Sequence, residues 1–404
     1  MHPRHNLSPA PAGDFTGFNG YPRSHIARLN PDGSLDPDFN AGTDGLIRSI
    51  VVQPGGYIAV GGSFATVNSL AENGWADHPN FVRFFPDGTP QTMFDLGGAN
   101  GTVNVIKQQA DGRLLLGGEF TQAAYRPRNY IARLNLDGSL DAGFDAGVLG
   151  PVYSIALQAD GRIVLGGRFS QVGGQPRSYL ARLNADGTLD SSFNPLPPPA
   201  YVSSVAAQAD GRILVAGPMN RPSGSYYYVS LVRLNQDGTL DAAFPAAIGS
   251  AYNLPPAVIL LQADGRVLVG GKDFAVYPQS VNQSGHYQSC LARVLNTEAA
   301  TQSLSVDPSG GVITWQRGGT APEVNTVSFE YSTDGFNFAT LGTGTRVPGG
   351  WRLSGLALPR NQPPYVRARG FYPASGAGYE SSPYVETVRV VSIPGGAGGA
   401  SSSE

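Results

Sequence analysis

The sequence predicts an all-β protein in which a β-propeller is followed by a β-sandwich. Two phrases recur with a period near 50 residues over the first three quarters of the chain. Among 404 residues there are 54 Gly and 32 Pro, whereas charged residues make up only 14%. Together with 41% hydrophobic residues, this many turn formers indicates short strands around a substantial core.

The repeats are regular in spacing. The phrase IARLNPDGSLDPDF, which begins at Ile26, alternates with VVQPGGYIAVGGSF, which begins at Val51, and each returns four times. The aspartates that mark the first phrase are Asp32, Asp87, Asp137, Asp186 and Asp237, which lie 55, 50, 49 and 51 residues apart. Such a period is typical of propeller blades.

Each repeat reads as four antiparallel strands, a to d, exemplified by those that begin at Ser154, Arg162, Tyr179 and Thr188. Asp-Gly joins a to b and c to d, and that dipeptide between apolar runs predicts a hairpin. The b–c connection is longer and is expected to be irregular. A single unit cannot bury both faces, so neighbours must stack. A propeller satisfies this requirement, and a linear solenoid is the alternative.

The paired phrases resemble the delta-sixty repeat, a β-propeller family of large bacterial surface proteins, and the Gly-Gly that ends strand b resembles kelch blades. The resemblance covers about residues 13–296. It implies a propeller in a bacterial protein that is secreted or exposed at the cell surface. It implies no established activity, so no functional residues follow from it.

The repeat pattern sets the domain boundaries. We expect an unstructured segment over 1–12, a propeller of about five blades over 13–298, a sandwich over 301–392 and a flexible tail over 393–404. The first copy begins near the end of strand b, and the last has no clear strand d. Either the N-terminal strand d closes a five-bladed ring, or further blades lie upstream. The second reading is favoured, because in the first the N-terminal strand c and Leu291–Leu295 compete for one position.

The C-terminal part reads as seven strands with turns between them, which predicts a β-sandwich. It resembles a fibronectin type III domain through Trp315 in the second strand, Leu356, and Tyr365, which is placed like a corner tyrosine. Trp315 and Trp351 are expected in its core.

Composition excludes several classes of protein. A net charge of −3 without a basic patch provides no positively charged surface for nucleic acid, and no apolar run is long enough for a transmembrane helix. A single cysteine, Cys290, excludes an internal disulfide and a cysteine-cluster zinc site. No cofactor is predicted. The Asn30-x-Asp32-Gly pattern is compatible with calcium but lacks the EF-hand spacing, so a hairpin turn is favoured.

Strand order predicts where binding occurs. In an up-and-down sheet the Asp-Gly turns share one face, and the b–c and d–a connections share the other, which we call the loop face. Arginines and aspartates that recur once per blade are interpreted as structural. Residues that vary on the loop face, including the position after Gly-Gly, are the candidate ligand-binding residues. They are Trp75, His78, Glu119, Arg126, Arg128, Arg168, Arg177, Tyr226, Tyr227, Tyr228, His286 and Tyr287.

These features favour a non-enzymatic recognition or adhesion protein that binds carbohydrate or protein, because aromatic and arginine side chains are typical of such surfaces. A glycoside-active enzyme is the alternative, but it needs a pair of carboxylates, and the propeller region contains three glutamates, Glu72, Glu119 and Glu298. A third possibility is a structural spacer within a larger surface protein. The ligand and the oligomeric state are not predicted.

Overall fold

The fold is all-β, a propeller of antiparallel blades followed by a β-sandwich. The computed structural model describes residues 12–30, 32–69, 74–91, 94, 97–195, 201–219, 228–244, 248–250, 258–276, 286–296, 298–359, 364–371 and 384–391. No described helix is long and apolar enough to cross a membrane.

The N-terminal repeat and blade one begin the array. In the N-terminal repeat, Ala12 bridges Ile26 and Leu29 bridges Leu35. In blade one, strand a pairs with strand b and strand b pairs with strand c; these are the third, fourth and seventh strands of the chain. The strands are β1 (Gly17–Phe18), β2 (Tyr21–Pro22), β3 (Leu46–Val52), β4 (Ile58–Ser63), β5 (Thr66–Ser69), β6 (Gly74–Asp77) and β7 (Phe81–Phe84). A 3-10 turn over Pro54–Gly56 stands where later blades have Asp-Gly.

Blades two and three repeat this arrangement. Blade two consists of β8 (Val103–Gln108), β9 (Leu114–Gly118), β10 (Gln122–Ala123), β11 (Arg126–Pro127) and β12 (Ile131–Leu134). Blade three consists of β13 (Val152–Leu157), β14 (Ile163–Gly167), β15 (Gln171–Val172), β16 (Gln175–Pro176) and β17 (Leu180–Leu183).

Blades four and five are joined into one sheet, because the short strand β21 pairs with β20 on one side and β23 on the other. The strands are β18 (Ser204–Ala207), β19 (Ile213–Met219), β20 (Tyr228–Leu234), β21 (Ile248–Ser250), β22 (Val258–Leu261), β23 (Val267–Val276) and β24 (His286–Val294). This link through a d–a connection has no counterpart in the repeat pattern.

Two local features differ from the sequence-based expectation. The b–c connections of the first three blades are not irregular but form two-stranded hairpins, such as β10–β11 and β15–β16. Strand d is reduced to a single bridge, as between Leu134 and Leu140. The ladder stops there because Asp141 turns the chain, accepting a hydrogen bond from the backbone of Gly143 at 3.0 Å.

The Asp-Gly turns form as predicted. In the turn of blade three between strands c and d, the backbone N–H of Asn184 donates to the carbonyl of Thr188 at 2.8 Å, and Gly187 has a φ of 97°. Asp186 Oδ1 accepts the backbone N–H of Thr188 at 2.9 Å. Glycine is favoured at this position because the left-handed backbone is costly for other residues.

Neighbouring blades pack face to face through apolar side chains. Between blades two and three, for example, Val105 and Leu115 share one cluster with Val152, Ile155 and Leu165. Because each sheet buries side chains on both faces, the strands read as nearly continuous apolar runs. Burial of these chains is the main favourable contribution to folding.

A repeated arginine of strand c joins each strand d to the next blade. Arg182 Nε donates to Asp190 Oδ2 at 2.7 Å, and its Nη1 donates to the carbonyl of Gln236 in blade four at 2.6 Å. The guanidinium also lies 4.5 Å from the ring centroid of Phe193. Four repeats share this link to the next blade; its pairs are Arg28–Pro86, Arg133–Ala185, Arg182–Gln236 and Arg233–Asn296.

Blade one carries a variant of this arrangement. Gln91 replaces the aspartate and accepts from Arg83 Nε at 2.7 Å. Burial lowers the pKa of Arg83 to about 10, although the nearby Tyr57 opposes this shift. In blade two, burial alone would raise the pKa of Asp141, but the hydrogen bond and charge of Arg133 hold it below its usual value.

Serine makes a second link, near the propeller axis. Ser154 Oγ accepts the backbone N–H of Val205 at 3.1 Å, and Ser49 and Ser204 make the same contact with the following blades. Blade two has Val105 at this position, and Asn104 instead donates to the carbonyl of Val152 at 3.2 Å.

The C-terminal sandwich consists of two four-stranded sheets. One has the order β25–β26–β30–β29 and the other β28–β27–β31–β32. Its strands are β25 (Ala300–Val306), β26 (Val312–Gly319), β27 (Thr326–Ser332), β28 (Ala339–Thr343), β29 (Thr345–Val347), β30 (Gly350–Ser354), β31 (Tyr365–Phe371) and β32 (Tyr384–Val390). The short strand β29 was not among the seven expected strands.

The core of the sandwich contains both tryptophans, as predicted. Trp315 and Trp351 are buried between the sheets, and Trp315 Nε1 donates to Thr387 Oγ1 at 3.2 Å. Leu356 packs against the same cluster. Tyr365 lies in β31 against the turn at Gly335.

The sandwich docks on the propeller through the segment between β26 and β27. Gln208 bridges Pro322, and the N–H of Ala209 donates to the carbonyl of Ala321 at 2.8 Å. Asn325 Nδ2 donates to the carbonyl of Gln108 in blade two at 3.1 Å. This segment also lines a small cavity with residues from blades two to five, so it lies across the turn-side end of the innermost strands.

The arginine links predict that replacing the strand-c arginine destabilises the protein strongly where the side chain is buried and weakly where it is exposed. Arg182→Ala leaves Asp190 without its closest cation, so the free energy of unfolding should fall by about 3 kcal/mol. Arg293→Ala is the matched control, because Arg293 holds the same position in blade five but is exposed. Urea denaturation measures both, and equal losses in the two variants would contradict the assignment.

The sandwich docks beside one aspartate of the Asp-Gly turns, and the pKa of this aspartate is raised. Burial raises the pKa of Asp210, whose backbone N–H donates to the carbonyl of Gly319. The ionised form therefore opposes folding at neutral pH, and this cost decreases as the pH falls through the raised pKa of Asp210 and is absent below the ordinary pKa of an aspartate.

We therefore expect Asp210→Asn to give a higher melting temperature at pH 7 than Asp160→Asn, a replacement in the equivalent exposed turn. The difference should shrink in acid. In the native turns the backbone N–H groups of Arg162 and Arg212 donate to Asp160 and Asp210. Both variants can keep this hydrogen bond, because the side-chain oxygen of asparagine is also an acceptor. A lower melting temperature for Asp210→Asn than for Asp160→Asn would contradict this account.

Candidate functional site

In the first three blades the described residues of the loop face form an ordered β-structure. The d–a connections before blades one, two and three pair with the b–c hairpin of the blade that follows, through the bridges Thr43–Val67, Ala99–Ala123 and Leu149–Gln171. Asn100 Oδ1 accepts the backbone N–H groups of Thr121 and Gln122 at 2.8 and 2.9 Å. The two kinds of connection therefore lie together, and their backbones form a hydrogen-bonded base for the side chains.

Two of the candidate arginines anchor this base. Arg128 Nη1 donates to the carbonyl of Pro127 at 2.9 Å, and its Nη2 donates to the carbonyl of Ala142 at 3.1 Å. Arg177 makes the first of these contacts with Pro176 at 2.8 Å. Arg23 makes the same contact in the N-terminal repeat, so this is a repeated contact of the hairpin.

Three other candidates surround the hairpins of blades one and two. Trp75 lies in β6 with half of its surface exposed, whereas His78 is buried. Arg126 lies exposed in β11, where it pairs with Ala123. Trp75 and Arg126 are therefore accessible, but His78 is not.

The candidates of blades four and five are described less fully. Tyr226 and Tyr227 lie outside the described residues. The backbone of Tyr228 pairs with Ser250, and those of His286 and Tyr287 pair with Val276 and Ala275. All three pairings lie where β21 joins the two blades.

The remaining candidates, Glu119 and Arg168, form a cluster with two tyrosines. Both follow the Gly-Gly of their strands b and are exposed. Tyr153 interacts electrostatically with the carboxylate of Glu119 and the guanidinium of Arg168. The ring of Tyr201 meets that of Tyr153 edge to face, with centroids 6.3 Å apart. We call Glu119, Tyr153, Arg168 and Tyr201 the tyrosine cluster.

The backbone explains how the cluster forms. The pairing of strands a and b shifts register between Val152 and Ser154, so Tyr153 occupies a β-bulge at the start of the innermost strand of blade three. A bulge bends its strand locally and can re-aim a side chain. The same bulge holds Arg48 in blade one and Asn104 in blade two.

The electrostatics of the cluster are mixed. Burial is the largest cause of the raised pKa of Tyr153, Glu119 raises it further, and Arg168 opposes the shift. Burial also raises the pKa of Tyr201. Both phenols therefore stay protonated at neutral pH and can donate hydrogen bonds.

The arrangement offers two partly exposed aromatic rings, with an acceptor carboxylate and a donor guanidinium near Tyr153. Such a set can pack against an apolar face while hydrogen bonding to polar groups at its edge. Across the described parts of the chain, no group of three or more His, Cys, Asp or Glu residues could hold a metal ion.

Sequence reasoning identified Glu119 and Arg168 but missed Tyr153 and Tyr201. Tyr153 precedes the phrase SIALQ by one residue, and the corresponding residues in other blades, such as Arg48 and Asn104, differ. A variable position that precedes a repeated phrase was therefore a usable signal.

Comparison with known proteins supports a propeller-type repeat. Four segments, about a third of the chain, match a family model described as a domain of unknown function (DUF5122) beta-propeller: residues 12–39, 109–144, 158–193 and 208–244. All four end on the phenylalanine that the strand-c arginine covers. A search of curated proteins found no match.

The cluster predicts an unusual titration for one tyrosine. Tyr153 should ionise at a higher pH than an ordinary tyrosine, and Glu119→Gln should lower its pKa by removing the nearby negative charge. NMR of carbon-labelled tyrosine rings measures this shift, with Tyr153→Phe to assign the signal. An unchanged Tyr153 titration in Glu119→Gln would show that the two groups are not coupled.

Proposed function

We propose that this protein is a non-enzymatic recognition protein that binds carbohydrate through the tyrosine cluster on its loop face. The observation that carries the proposal is the edge-to-face pair of Tyr153 and Tyr201 beside Glu119 and Arg168. Aromatic rings pack against the apolar face of a sugar ring, while carboxylate and guanidinium groups hydrogen bond to hydroxyls.

The backbone that carries the cluster supports this role. Glu119, Tyr153 and Arg168 lie in or directly after strands β9, β13 and β14, and Tyr201 lies in the d–a connection, where Val202 donates its N–H to the carbonyl of Gly167 at 3.0 Å. A preorganised site binds with a smaller entropic cost than one that must order on binding. Trp75 and Arg126 extend the accessible surface toward blades one and two.

We further propose that the protein acts outside the cell or at its surface, as the resemblance to delta-sixty repeats implies. The fibronectin-type assignment of the sandwich belongs to the same proposal. Its support is the division of strands, with β25, β26 and β30 in one sheet and β27, β31 and β32 in the other.

A glycoside-active enzyme remains the second candidate, because Glu119 lies exposed beside the tyrosines. Glycoside hydrolysis generally uses two carboxylates across the scissile bond. Turnover of a polysaccharide that Glu119→Gln abolishes would establish this alternative and overturn the binding role.

A glycan array followed by calorimetry tests the proposal. Tyr201→Ala and Glu119→Ala should each weaken binding of the best glycan about tenfold, which corresponds to about 1.4 kcal/mol. Tyr21→Ala is the matched control, because Tyr21 is an exposed tyrosine on the N-terminal hairpin and should leave affinity unchanged. Binding that survives both cluster variants would reject this site, and absence of any glycan binding would favour the spacer role.

A further inference from the structure

Tyr125 occupies a backbone position that two sister repeats fill with glycine. The b–c hairpins of the N-terminal repeat, blade two and blade three share one register, and their last pairs before the turn are Phe18–Tyr21, Ala123–Arg126 and Val172–Gln175. Tyr125 therefore stands where Gly20 and Gly174 stand, and all three have a left-handed backbone, with φ of 57°, 81° and 76° respectively. This conformation is unfavourable for a bulky side chain, so the turn itself gives no reason for a tyrosine here.

The ring of Tyr125 is displayed on the loop face. The side chain is 78% exposed, although one part of the ring rests against the connection before blade two. A Cβ atom at Gly97 would lie 2.1 Å from Cε2 of the ring, so this glycine leaves the space that the ring occupies. A strained tyrosine and a glycine that makes room for it thus hold an aromatic ring in solvent. Backbone strain of this kind is concentrated at functional sites.

An exposed polar surface connects Tyr125 to the tyrosine cluster. Glu119 lies at the base of the hairpin that carries Tyr125 at its tip, and the exposed residues between them are Asn100, Thr121 and Gln122. Asn100 Oδ1 accepts the backbone N–H groups of the other two, so this surface is held in place. The arm of the hairpin is extended and rises about 3.3 Å per residue, which puts Tyr125 roughly 10 Å beyond Glu119.

We propose that the carbohydrate site extends from the tyrosine cluster to Tyr125, so that the protein recognises a glycan chain of several sugar units rather than a single sugar. This inference rests on the proposed function. One sugar lies at the cluster, and the ring of Tyr125 packs against the apolar face of a distal sugar. The side chains of Gln122 and Arg126, both exposed beside this path, donate hydrogen bonds to hydroxyl groups of the chain.

Glycine at the equivalent positions provides a variant that separates binding from folding. Tyr125→Gly places in blade two the residue that the N-terminal repeat and blade three have at this turn. The melting temperature should therefore not fall, because glycine adopts the left-handed backbone without strain. Tyr125→Phe keeps the ring and should bind every glycan like the wild type.

The test is calorimetry of the full chain with the monosaccharide, the disaccharide and longer oligomers of the glycan that binds best on an array. Wild-type affinity should rise with oligomer length. Tyr125→Gly should bind the monosaccharide as the wild type does and the longest oligomer about tenfold more weakly. Tyr21→Ala is the matched control and should follow the wild type at every length, because Tyr21 is an exposed tyrosine on a different hairpin.

The outcomes distinguish this inference from the function on which it rests. If Tyr201→Ala weakens binding but Tyr125→Gly matches the wild type at every length, the extended site is wrong and the cluster remains the binding site. A loss in Tyr125→Gly that is equal for the monosaccharide and the longest oligomer also contradicts a distal contact. Absence of binding to glycans of any length overturns both the extended site and the proposed function.

Discussion

The arginine of strand c is the interaction on which the propeller depends. One guanidinium holds the aspartate that ends its own blade, covers a buried phenylalanine and reaches a carbonyl of the next blade. Because Arg182 is buried, removing Asp190 would leave its charge without its closest counter-ion. The same residue therefore fixes the end of strand d, the packing of the blade and the distance to its neighbour.

A scaffold fixed in this way leaves one face available for variation. The Asp-Gly turns are occupied by their own backbone hydrogen bonds, and in blade four the sandwich covers them. On the opposite face, the bulge at the start of strand a and the position after Gly-Gly keep their backbone while their side chains change. Glu119, Tyr153 and Arg168 come from these two positions in neighbouring blades, which is how they meet.

The repeats made most of the fold predictable, because Asp-Gly turns and alternating apolar strands carry local signals. Strand d was overestimated, since the sequence around Asp141 is compatible with a strand and only its hydrogen bonds show where the ladder ends. The link through β21 and the docking of Pro322 on Gln208 depend on contacts between distant segments, which a periodic pattern does not report. At the site, Arg128 looked like a ligand-binding residue because its repetition in Arg23 and Arg177 is visible only once the hairpins are aligned.

The contact between arginine and a neighbouring carbonyl also bears on how such arrays change over generations. The acceptor is a main-chain oxygen, provided by Pro86, Ala185 or Gln236 without regard to the side chain. A blade can therefore be duplicated, deleted or exchanged by recombination, and its junctions still match. The last junction is different, because Arg233 is met by the side chain of Asn296 where the chain leaves the array. Selection on sequence should therefore be strictest at this junction and most relaxed at the acceptor positions within the array.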